Sequence, residues 1–344
     1  MPDVVALKAP SAAGPGFIEA QVLPGRGMML LQARVRLASG EIIDALHVPA
    51  DGLSQLDGGP EDFAGNKGFA FGGAILAPYA NRIRGRPLTG SREIETQVGG
   101  RTVRLPRNWG GKAPGAEQYA MHGLILDAPI PFERRTADRV TGRLEAGDFG
   151  GRWPSRTALS FEWALEDGAL VLRMEARNVG DDTLPMGLGW HPYLALPSGD
   201  RRQARLRLLA SKLAEINDYD EVLPTGRLLD VAGTPFDFNG GPALGDLYLD
   251  DCFTDLARED GLAVVEVVDP AAGLGYRVTS SSPAVTAIQV FAPTDGAFVV
   301  VEPQFNLADP FGAAWGRTDT GMVRLPPGGS VAYEARLAAF AVGT

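Results

Sequence analysis

The chain has 344 residues, of which 45% are hydrophobic and 22% are charged, an ordinary composition for a globular protein. Its net charge of −10 argues against nucleic acid and anionic membrane surfaces as partners, because both attract clustered positive charge. Cys252 is the only cysteine, which excludes an intrachain disulfide. The N-terminal sequence lacks the basic and apolar segments of a signal peptide, so we expect a cytoplasmic protein.

Alternation of apolar and polar residues predicts short strands along most of the chain. The clearest pair is a β-hairpin in which Leu159–Leu165 and Leu170–Ala176 are joined by a turn at Glu166-Asp167-Gly168. Further strands are predicted at Ala204–Leu209, Val264–Val268, Ala284–Phe291, Ala297–Glu302 and Val331–Phe340. Strands do not alternate with helical patterns, which argues against a parallel α/β sheet. We therefore expect an all-β fold with few short helices, forming a single sandwich-like domain over residues 1–344.

The segment Pro106–Gly115 is rich in glycine and proline and is predicted to be a loop, because strand patterns continue on both sides of it.

Histidine is the side chain that titrates nearest to neutral pH, and the chain has three: His47, His122 and His191. His47 has no suggestive neighbours and is predicted to lie at the surface or on an edge strand. His191 follows Gly187 and Gly189, which permit close approach of the backbone, and it has aromatic neighbours on both sides. This pattern fits a sugar-stacking pocket, and it fits a histidine packed within an aromatic core equally well.

Glu302 follows the apolar run Phe298–Val301, which is predicted to be a buried strand. A carboxylate at the end of such a run is costly unless it is paired or functional. Pro303 is expected to end the strand, leaving Glu302 at a strand terminus beside a cleft. A histidine and a glutamate without a serine or cysteine nucleophile signature indicate proton transfer rather than acyl chemistry.

Six short motifs, in chain order from about Gly72 to Phe311, resemble those of the aldose 1-epimerase (galactose mutarotase) family. They are Asn81-Arg82 within GGAILAPYANRIRG, Met121-His122-Gly123, His191-Pro192-Tyr193, Asp250–Phe253, Ala287–Phe291 and Val301–Gln304. The resemblance implies a large antiparallel β-supersandwich and an enzyme that interconverts the α and β anomers of an aldose.

The same resemblance implies roles for individual residues. His191 would be the general acid and Glu302 the general base. The substrate-binding residues that it implies are Asn81, Arg82, His122, Tyr193, Asp250 and Gln289. Anomerisation needs no metal or redox cofactor, and the sequence shows no local cluster of metal-ligand residues, so we expect neither. The expected partner is a small monosaccharide, bound by a monomer or a homodimer.

The chain also departs from the family pattern. Trp190 and Pro192 flank His191 where the commoner pattern has asparagine and threonine, and Asp251 stands where a histidine is usual. The Gly-rich segment Arg107–Tyr119 carries Trp109 and Lys112. Because these changes touch the pocket wall, specificity for galactose does not follow from the resemblance.

The sequence leaves two alternative functions open. The first is an epimerase for a charged sugar, such as a hexose 6-phosphate or a sulfonated sugar, which would need extra cations. Four basic residues lie near motif positions: Arg84, Arg86, Arg107 and Lys112. The second is a sugar-binding protein of the same fold without turnover, although binding alone does not need a matched acid and base.

Overall fold

The computed structural model describes residues 3–10, 14–111 and 116–342, and strands dominate these residues. In chain order the strands of the first half are β1 (Val5–Lys8), β2 (Gly16–Leu23), β3 (Met29–Arg36), β4 (Ile42–Asp44), β5 (Gly73–Leu76), β6 (Arg82–Arg84), β7 (Arg86–Pro87), β8 (Glu93–Val98), β9 (Arg101–Pro106), β10 (Trp109–Gly110), β11 (Gln118–Met121), β12 (Phe132–Thr136), β13 (Arg139–Gly147) and β14 (Thr157–Glu166). Those of the second half are β15 (Ala169–Asn178), β16 (Leu184–Met186), β17 (Gly189–Ala195), β18 (Arg205–Leu208), β19 (Ala210–Ile216), β20 (Pro224–Asp230), β21 (Leu249–Leu256), β22 (Ala263–Asp269), β23 (Leu274–Ser280), β24 (Ala287–Ala292), β25 (Phe298–Gln304), β26 (Val323–Leu325) and β27 (Ser330–Ala341).

Helical segments are short in the described part of the chain. The one α-helix is α1 (Gly52–Gln55), and 3₁₀ segments span Pro24–Arg26, Pro60–Phe69 and Ala313–Trp315. Among the described residues, no helix is long and apolar enough to cross a membrane.

Two large antiparallel sheets form the body of the described residues. The eleven-stranded sheet has the order β1-β2-β3-β5-β17-β25-β24-β21-β19-β20, with β4 beside β3. The eight-stranded sheet has the order β12-β13-β14-β15-β27-β23-β22-β18. Three small sheets complete the fold: β10-β11-β6, β7-β8-β9 and β16-β26. The predicted all-β supersandwich is confirmed.

The predicted hairpin is confirmed as β14 and β15, which pair in register from Glu166↔Ala169 outward. Its two central turn residues, Asp167 and Gly168, have φ angles of 50° and 72°. Positive φ at both positions is what a two-residue type I′ turn requires, and Asp-Gly meets that requirement at little cost.

Along the central strands, successive side chains point alternately into the core and to the opposite face of the sheet. Trp190 on β17 packs edge-on against Trp163 on β14, with ring centroids 5.5 Å apart, and both are fully buried. Because side chains alternate along a strand, His191 projects away from this core contact. Val301 is also fully buried, so Glu302 likewise faces the other side of the sheet. The core contacts therefore fix the orientation of both side chains.

Two local expectations were wrong. Strand β25 does not end at Glu302 but continues to Gln304, with Pro303 opposite Ile288. The segment after Pro106 is not wholly a loop, because Trp109 and Gly110 form β10 and pair with Tyr119 and Gln118. Tertiary pairing overrides the local signals in both places. Lys112 and the rest of 112–115 lie outside the described residues.

Candidate active site

His191 and Glu302 lie side by side on β17 and β25. The pairs Gly189↔Gln304 and Tyr193↔Val300 lie on either side of them, which brings positions 191 and 302 level across the two strands. Nε2 of His191 is 3.3 Å from Oε1 of Glu302. Both side chains are nearly inaccessible, with exposed fractions of 6% and 2%. The sheet therefore brings together two groups that are distant in sequence.

Gln289 extends this row by one strand. It lies opposite Glu302 on β24, and its Nε2 donates to Oδ1 of Asp250 on β21 at 2.6 Å. Its Oε1 accepts from Nδ2 of Asn81 at 3.0 Å. Gln289 therefore connects the sheet to the Asn81-Arg82 segment that crosses the site.

Arg82 is buried and held by three separate groups. Its Nε donates to Oδ1 of Asn81 at 3.0 Å, and its Nη1 donates to the backbone carbonyl of Glu221 at 2.8 Å. Its Nη2 lies 3.7 Å from Oδ2 of Asp250. A guanidinium fixed in this way presents donors in a set direction.

His122 enters the site from the end of β11. Its backbone has φ = 60°, and its N–H donates to the carbonyl of Asn81 at 2.7 Å. Gly123 follows with φ = 95°, and a Cβ there would lie 2.1 Å from the carbonyl oxygen of Ala77. Only glycine fits so close an approach, which gives the His-Gly motif a structural reason. The rings of His122 and His191 meet edge-on at 4.8 Å.

Gly187 confirms the expected close approach before His191. A Cβ at this position would lie 2.0 Å from Oδ1 of Asn306, whose side chain in turn bonds both the N–H and the carbonyl of Ala80. This contact ties the segment before β17 to the turn that carries Asn81.

Tyr193 lies against the ring of His191, with centroids 5.2 Å apart. Its hydroxyl donates to the backbone carbonyl of Phe69 at 3.0 Å, and the Phe69 ring packs edge-on against His122 at 4.9 Å. Tyr193 therefore braces the wall of the site, and the predicted role in substrate binding stays a prediction.

We expect Tyr193→Phe to lower the free energy of unfolding by about 1 kcal/mol, because the carbonyl of Phe69 loses its donor. Urea unfolding measures this loss. Tyr333→Phe is a matched control, since the Tyr333 hydroxyl donates to the carbonyl of Pro303 at 2.9 Å inside the core. The control is expected to lose similar stability without a change in KM. If Tyr193→Phe instead slowed turnover by about two orders of magnitude, the hydroxyl would take part in proton transfer and the bracing role would be contradicted.

One cavity of about 160 Å³ joins these groups. Pockets for drug-sized ligands usually measure about 300–1,000 Å³, so this cavity suits a smaller molecule. The lining residues are Phe69, Ala70, Asn81, Arg82, Trp109, Met121, His122, His191, Tyr193, Asp250, Gln289, Phe291 and Glu302. All eight residues that the resemblance singled out are among them.

Aromatic side chains form much of the remaining wall. Trp109, whose side chain is half exposed, packs edge-on against Phe69 with ring centroids 5.6 Å apart. Phe69 was not singled out from the sequence, and its local context, GFAFGG, carries no signal of a binding role. Aromatic faces beside hydrogen-bonding groups are what a sugar ring with its apolar and hydroxylated surfaces requires.

Burial governs the protonation of the acid–base pair. It lowers the pKa of His191 to about 4 and raises the pKa of Glu302 well above its usual range. Burial also lowers the pKa of His122, followed by repulsion from His191 and Arg82. The neutral forms of the pair are therefore favoured, with one shared proton on Glu302 rather than on His191. The acid and base roles implied by the resemblance place this proton on His191 and leave Glu302 as a carboxylate. The distribution favoured by burial is therefore the reverse, with the same number of protons.

His122, His191 and Glu302 also form a cluster of metal-ligand residue types, with candidate ligand atoms within 4.8 Å of one another. The sequence showed no such cluster because its members are 69 and 111 positions apart. Metal-bound histidines usually donate their second ring nitrogen to an acceptor. Nδ1 of both histidines is buried and has no hydrogen-bond partner among the described residues. The arrangement fits proton transfer better than metal binding.

Wider cavities lie elsewhere, and the widest of those described has a different chemistry. A groove on the eight-stranded sheet contains Arg173, whose guanidinium already pairs with Glu162, Glu166 and Glu334. A saturated ion-pair network leaves little free hydrogen-bonding capacity for a ligand. Chemistry rather than size therefore identifies the cavity at His191 as the candidate active site.

Solved structures share this architecture. A galactose mutarotase-like protein from Clostridium acetobutylicum superposes with a TM-score of 0.75 at 17% identity, covering 99% of each chain. An aldose epimerase homologue from C. elegans gives a TM-score of 0.74 at 18% identity, covering 100% of each chain. The fold is thus of the galactose mutarotase-like class.

The sequence profile described as aldose 1-epimerase matches residues 42–337. The chain therefore belongs to the aldose 1-epimerase family. The aldose 1-epimerase of Escherichia coli K12 is 26% identical over 234 residues, which are 65% of this chain. The match spans 58% of the length of that relative.

Proposed function

We propose that the protein is an aldose 1-epimerase that interconverts the α and β anomers of a neutral aldose by acid–base ring opening and closure. The observation that carries this proposal is the facing pair of His191 and Glu302, 3.3 Å apart in one small cavity. Membership of the aldose 1-epimerase family supports it.

Anomerisation requires a proton to leave the hydroxyl on C1 while another reaches the ring oxygen. The bond between C1 and the ring oxygen then breaks, the aldehyde turns about C1–C2, and the ring closes on the other face. In this proposal Glu302 is the base at the C1 hydroxyl and His191 is the acid at the ring oxygen. On closure the two residues exchange roles, as microscopic reversibility requires.

The mechanism requires the proton of the pair to be on His191 when the sugar is bound. Burial and then repulsion from Asp250 raise the pKa of Glu302 and favour the proton there, whereas the positive charge of Arg82 lowers this pKa and favours the carboxylate. Oε2 of Glu302 has no hydrogen-bond partner among the described residues and is free to accept from a sugar hydroxyl. A hydroxyl donated to this oxygen stabilises the carboxylate further, so that the proton resides on His191.

The remaining polar side chains would hold the sugar. Arg82 and His122 would stabilise charge that develops on its oxygens, and Asn81, Asp250 and Gln289 would bind its other hydroxyls. A positioned acid or base contributes about 10²–10⁴-fold. Because the two residues move one proton between them and act as a unit, the pair would supply an acceleration of about this size, which corresponds to about 3–5 kcal/mol of barrier lowering.

The pH dependence follows from the proton count. The reactive pair holds one proton, so kcat/KM falls when His191 takes up a second proton or when Glu302 loses its own. Because burial lowers the pKa of His191 to about 4, we expect kcat/KM to stay level between pH 7 and pH 5 and to fall near pH 4. Initial rates corrected for spontaneous mutarotation measure this profile. A fall centred near pH 6.5, the ordinary pKa of histidine, would contradict the assignment.

A neutral substrate is favoured by the charges of the cavity. Arg82 is the one cationic side chain among the described lining residues, and it already faces Asp250. Arg84 pairs with Glu117 and Arg86 with Glu95, both outside the cavity. Arg107 does not line it either, and Lys112 lies outside the described residues.

The proposal is tested by polarimetry on fresh α anomers of glucose, galactose, xylose and arabinose, with glucose 6-phosphate alongside. We expect faster equilibration of at least one neutral aldose and a lower kcat/KM for the phosphate. Preference for the phosphate would favour the charged-sugar alternative. Sugar binding by calorimetry without faster equilibration would favour the non-catalytic alternative.

We also propose a cytoplasmic protein that folds as one domain over residues 1–344 and exists as a monomer or a homodimer. A single cooperative unfolding transition would support one domain, and sedimentation would determine the assembly state.

A further inference from the structure

The 217–223 loop, which joins β19 to β20, contacts the candidate active site through its backbone. The carbonyl of Glu221 accepts from Nη1 of Arg82 at 2.8 Å. Asn81 and Asp250 restrain the other nitrogens of this guanidinium, so the loop supplies its third restraint. The direction of the Arg82 donors therefore depends on where the loop lies.

Internal bonds give the loop a defined shape. Oδ1 of Asn217 accepts from the N–H of Leu223 at 2.8 Å, and Oδ1 of Asp218 accepts from the N–H of Glu221 at 2.8 Å. Val222 has φ = 54°, a strained conformation for a β-branched residue. These contacts shape the loop but do not attach it to the sheet.

Tyr219 attaches the loop to the sheet by a side-chain hydrogen bond, in addition to the burial of Val222 and Leu223. Its side chain is 41% exposed, yet its hydroxyl donates to Oδ2 of Asp251 at 2.8 Å, and Asp251 is 2% exposed. The Tyr219 ring also packs edge-on against Tyr248 at 4.9 Å. A bond to a buried carboxylate is among the stronger hydrogen bonds in proteins, because the charged acceptor has lost much of its water.

Asp251 connects this bond to the site. The same oxygen, Oδ2, accepts the backbone N–H of Asp250 at 3.1 Å. Asp250 in turn faces Arg82 and accepts from Gln289.

We propose that Tyr219 and Asp251 form a latch that positions Arg82 and Asp250 for sugar binding. Both are positioning residues, since neither lines the cavity. The latch rests on the proposed sugar-binding function of the cavity. It sets affinity and the choice of sugar more than the rate of proton transfer. The sheet holds His191 and Glu302, and Asn81 and Asp250 keep the charge of Arg82 beside the site when the loop contact is weakened.

The test is Tyr219→Phe, which removes the hydroxyl and keeps the ring against Tyr248. We expect KM and the calorimetric Kd for the best aldose of the panel to rise about 3–10-fold. This is less than the full effect of a lost hydrogen bond to a charged group, because the bond acts on the sugar only through Arg82 and Asp250. The value of kcat stays within about twofold. Tyr248→Phe is the matched control, because its hydroxyl makes no hydrogen bond to a described residue, and its KM is expected to be unchanged.

A pair of variants at Asp251 separates the latch from general packing. Asp251→Asn keeps an acceptor oxygen, so its KM stays closer to that of the wild type than the KM of Asp251→Ala. Combining Tyr219→Phe with Asp251→Ala adds little to the effect of Asp251→Ala alone, because Asp251→Ala already breaks the bond of Tyr219 together with that of the Asp250 N–H. Thermal unfolding confirms that each variant is folded.

Unchanged KM and Kd in Tyr219→Phe, or a fall in kcat with KM unchanged, would overturn the latch while leaving the proposed epimerase activity intact. A wild type that binds sugar without turnover would overturn the epimerase proposal. In that case the ratio of the Kd of Tyr219→Phe to the Kd of the wild type would still test the latch. A wild type that binds no aldose of the panel would overturn both.

Discussion

Glu302→Gln is expected to lower kcat/KM for anomerisation by about 10²–10⁴-fold. Glutamine fills the same space on β25 but neither gives nor takes a proton at neutral pH. Initial rates of mutarotation measure the loss. Glu266→Gln, in the eight-stranded sheet, is the matched control, since Glu266 pairs with Arg277 away from the cavity. Its activity is expected to equal that of the wild type.

Glu302→Gln is also expected to be more stable than the wild type, by an amount that grows as the pH rises. Burial raises the pKa of Glu302, so the folded state binds its proton more tightly than the unfolded state. The stability from this group is fully present below about pH 4.5, the ordinary pKa, and is lost as the pH rises toward the folded-state pKa. Glutamine has no such loss, so the difference in Tm between Glu302→Gln and the wild type grows from pH 5 to pH 8.

Full activity in Glu302→Gln would remove the carboxyl from the mechanism. A lower Tm at pH 8 would instead show that the carboxylate is well solvated or paired in the folded protein.

His191→Asn is expected to lower kcat/KM by about 10²–10⁴-fold as well, because asparagine keeps a polar group on β17 but has no titrating nitrogen. His47→Asn is the matched control. His47 packs against Phe298 with ring centroids 4.9 Å apart and does not line the cavity. Its kcat/KM is expected to be that of the wild type, measured by the same assay.

The double variant His191→Asn/Glu302→Gln sharpens this prediction. Residues that move one proton between them act as a unit, so the combined loss is expected to be close to that of the more damaging single change. Fully multiplicative losses would indicate two independent roles, and they would contradict the shared proton.

The sequence was most informative where one local rule acts alone. Alternation and Asp167-Gly168 identified the β14–β15 hairpin, because period two and a type I′ turn are both local properties. It was less informative where distant pairing decides. Pro303 suggested the end of a strand, yet Ile288 on β24 continues to pair with it.

The candidate site also contains residues that the sequence identified and contacts that it did not. Motif residues such as His191 and Glu302 were named from the sequence, and the row across β24, β25 and β17 explains why they meet. The Glu221 carbonyl on Arg82 was not foreseen, because a backbone acceptor carries no residue-type signal. The bond of Tyr219 to Asp251 joins positions 32 apart and depends on where the loop folds back.

The joint action of His191 and Glu302 on one hemiacetal is tested most directly by magnetisation transfer between the two anomeric protons of an aldose at equilibrium. We expect the wild type to raise the exchange rate above the spontaneous rate, and His191→Asn/Glu302→Gln to return it nearly to that rate although the variant still binds sugar. Exchange at the wild-type rate in this double variant would contradict a mechanism based on these two side chains.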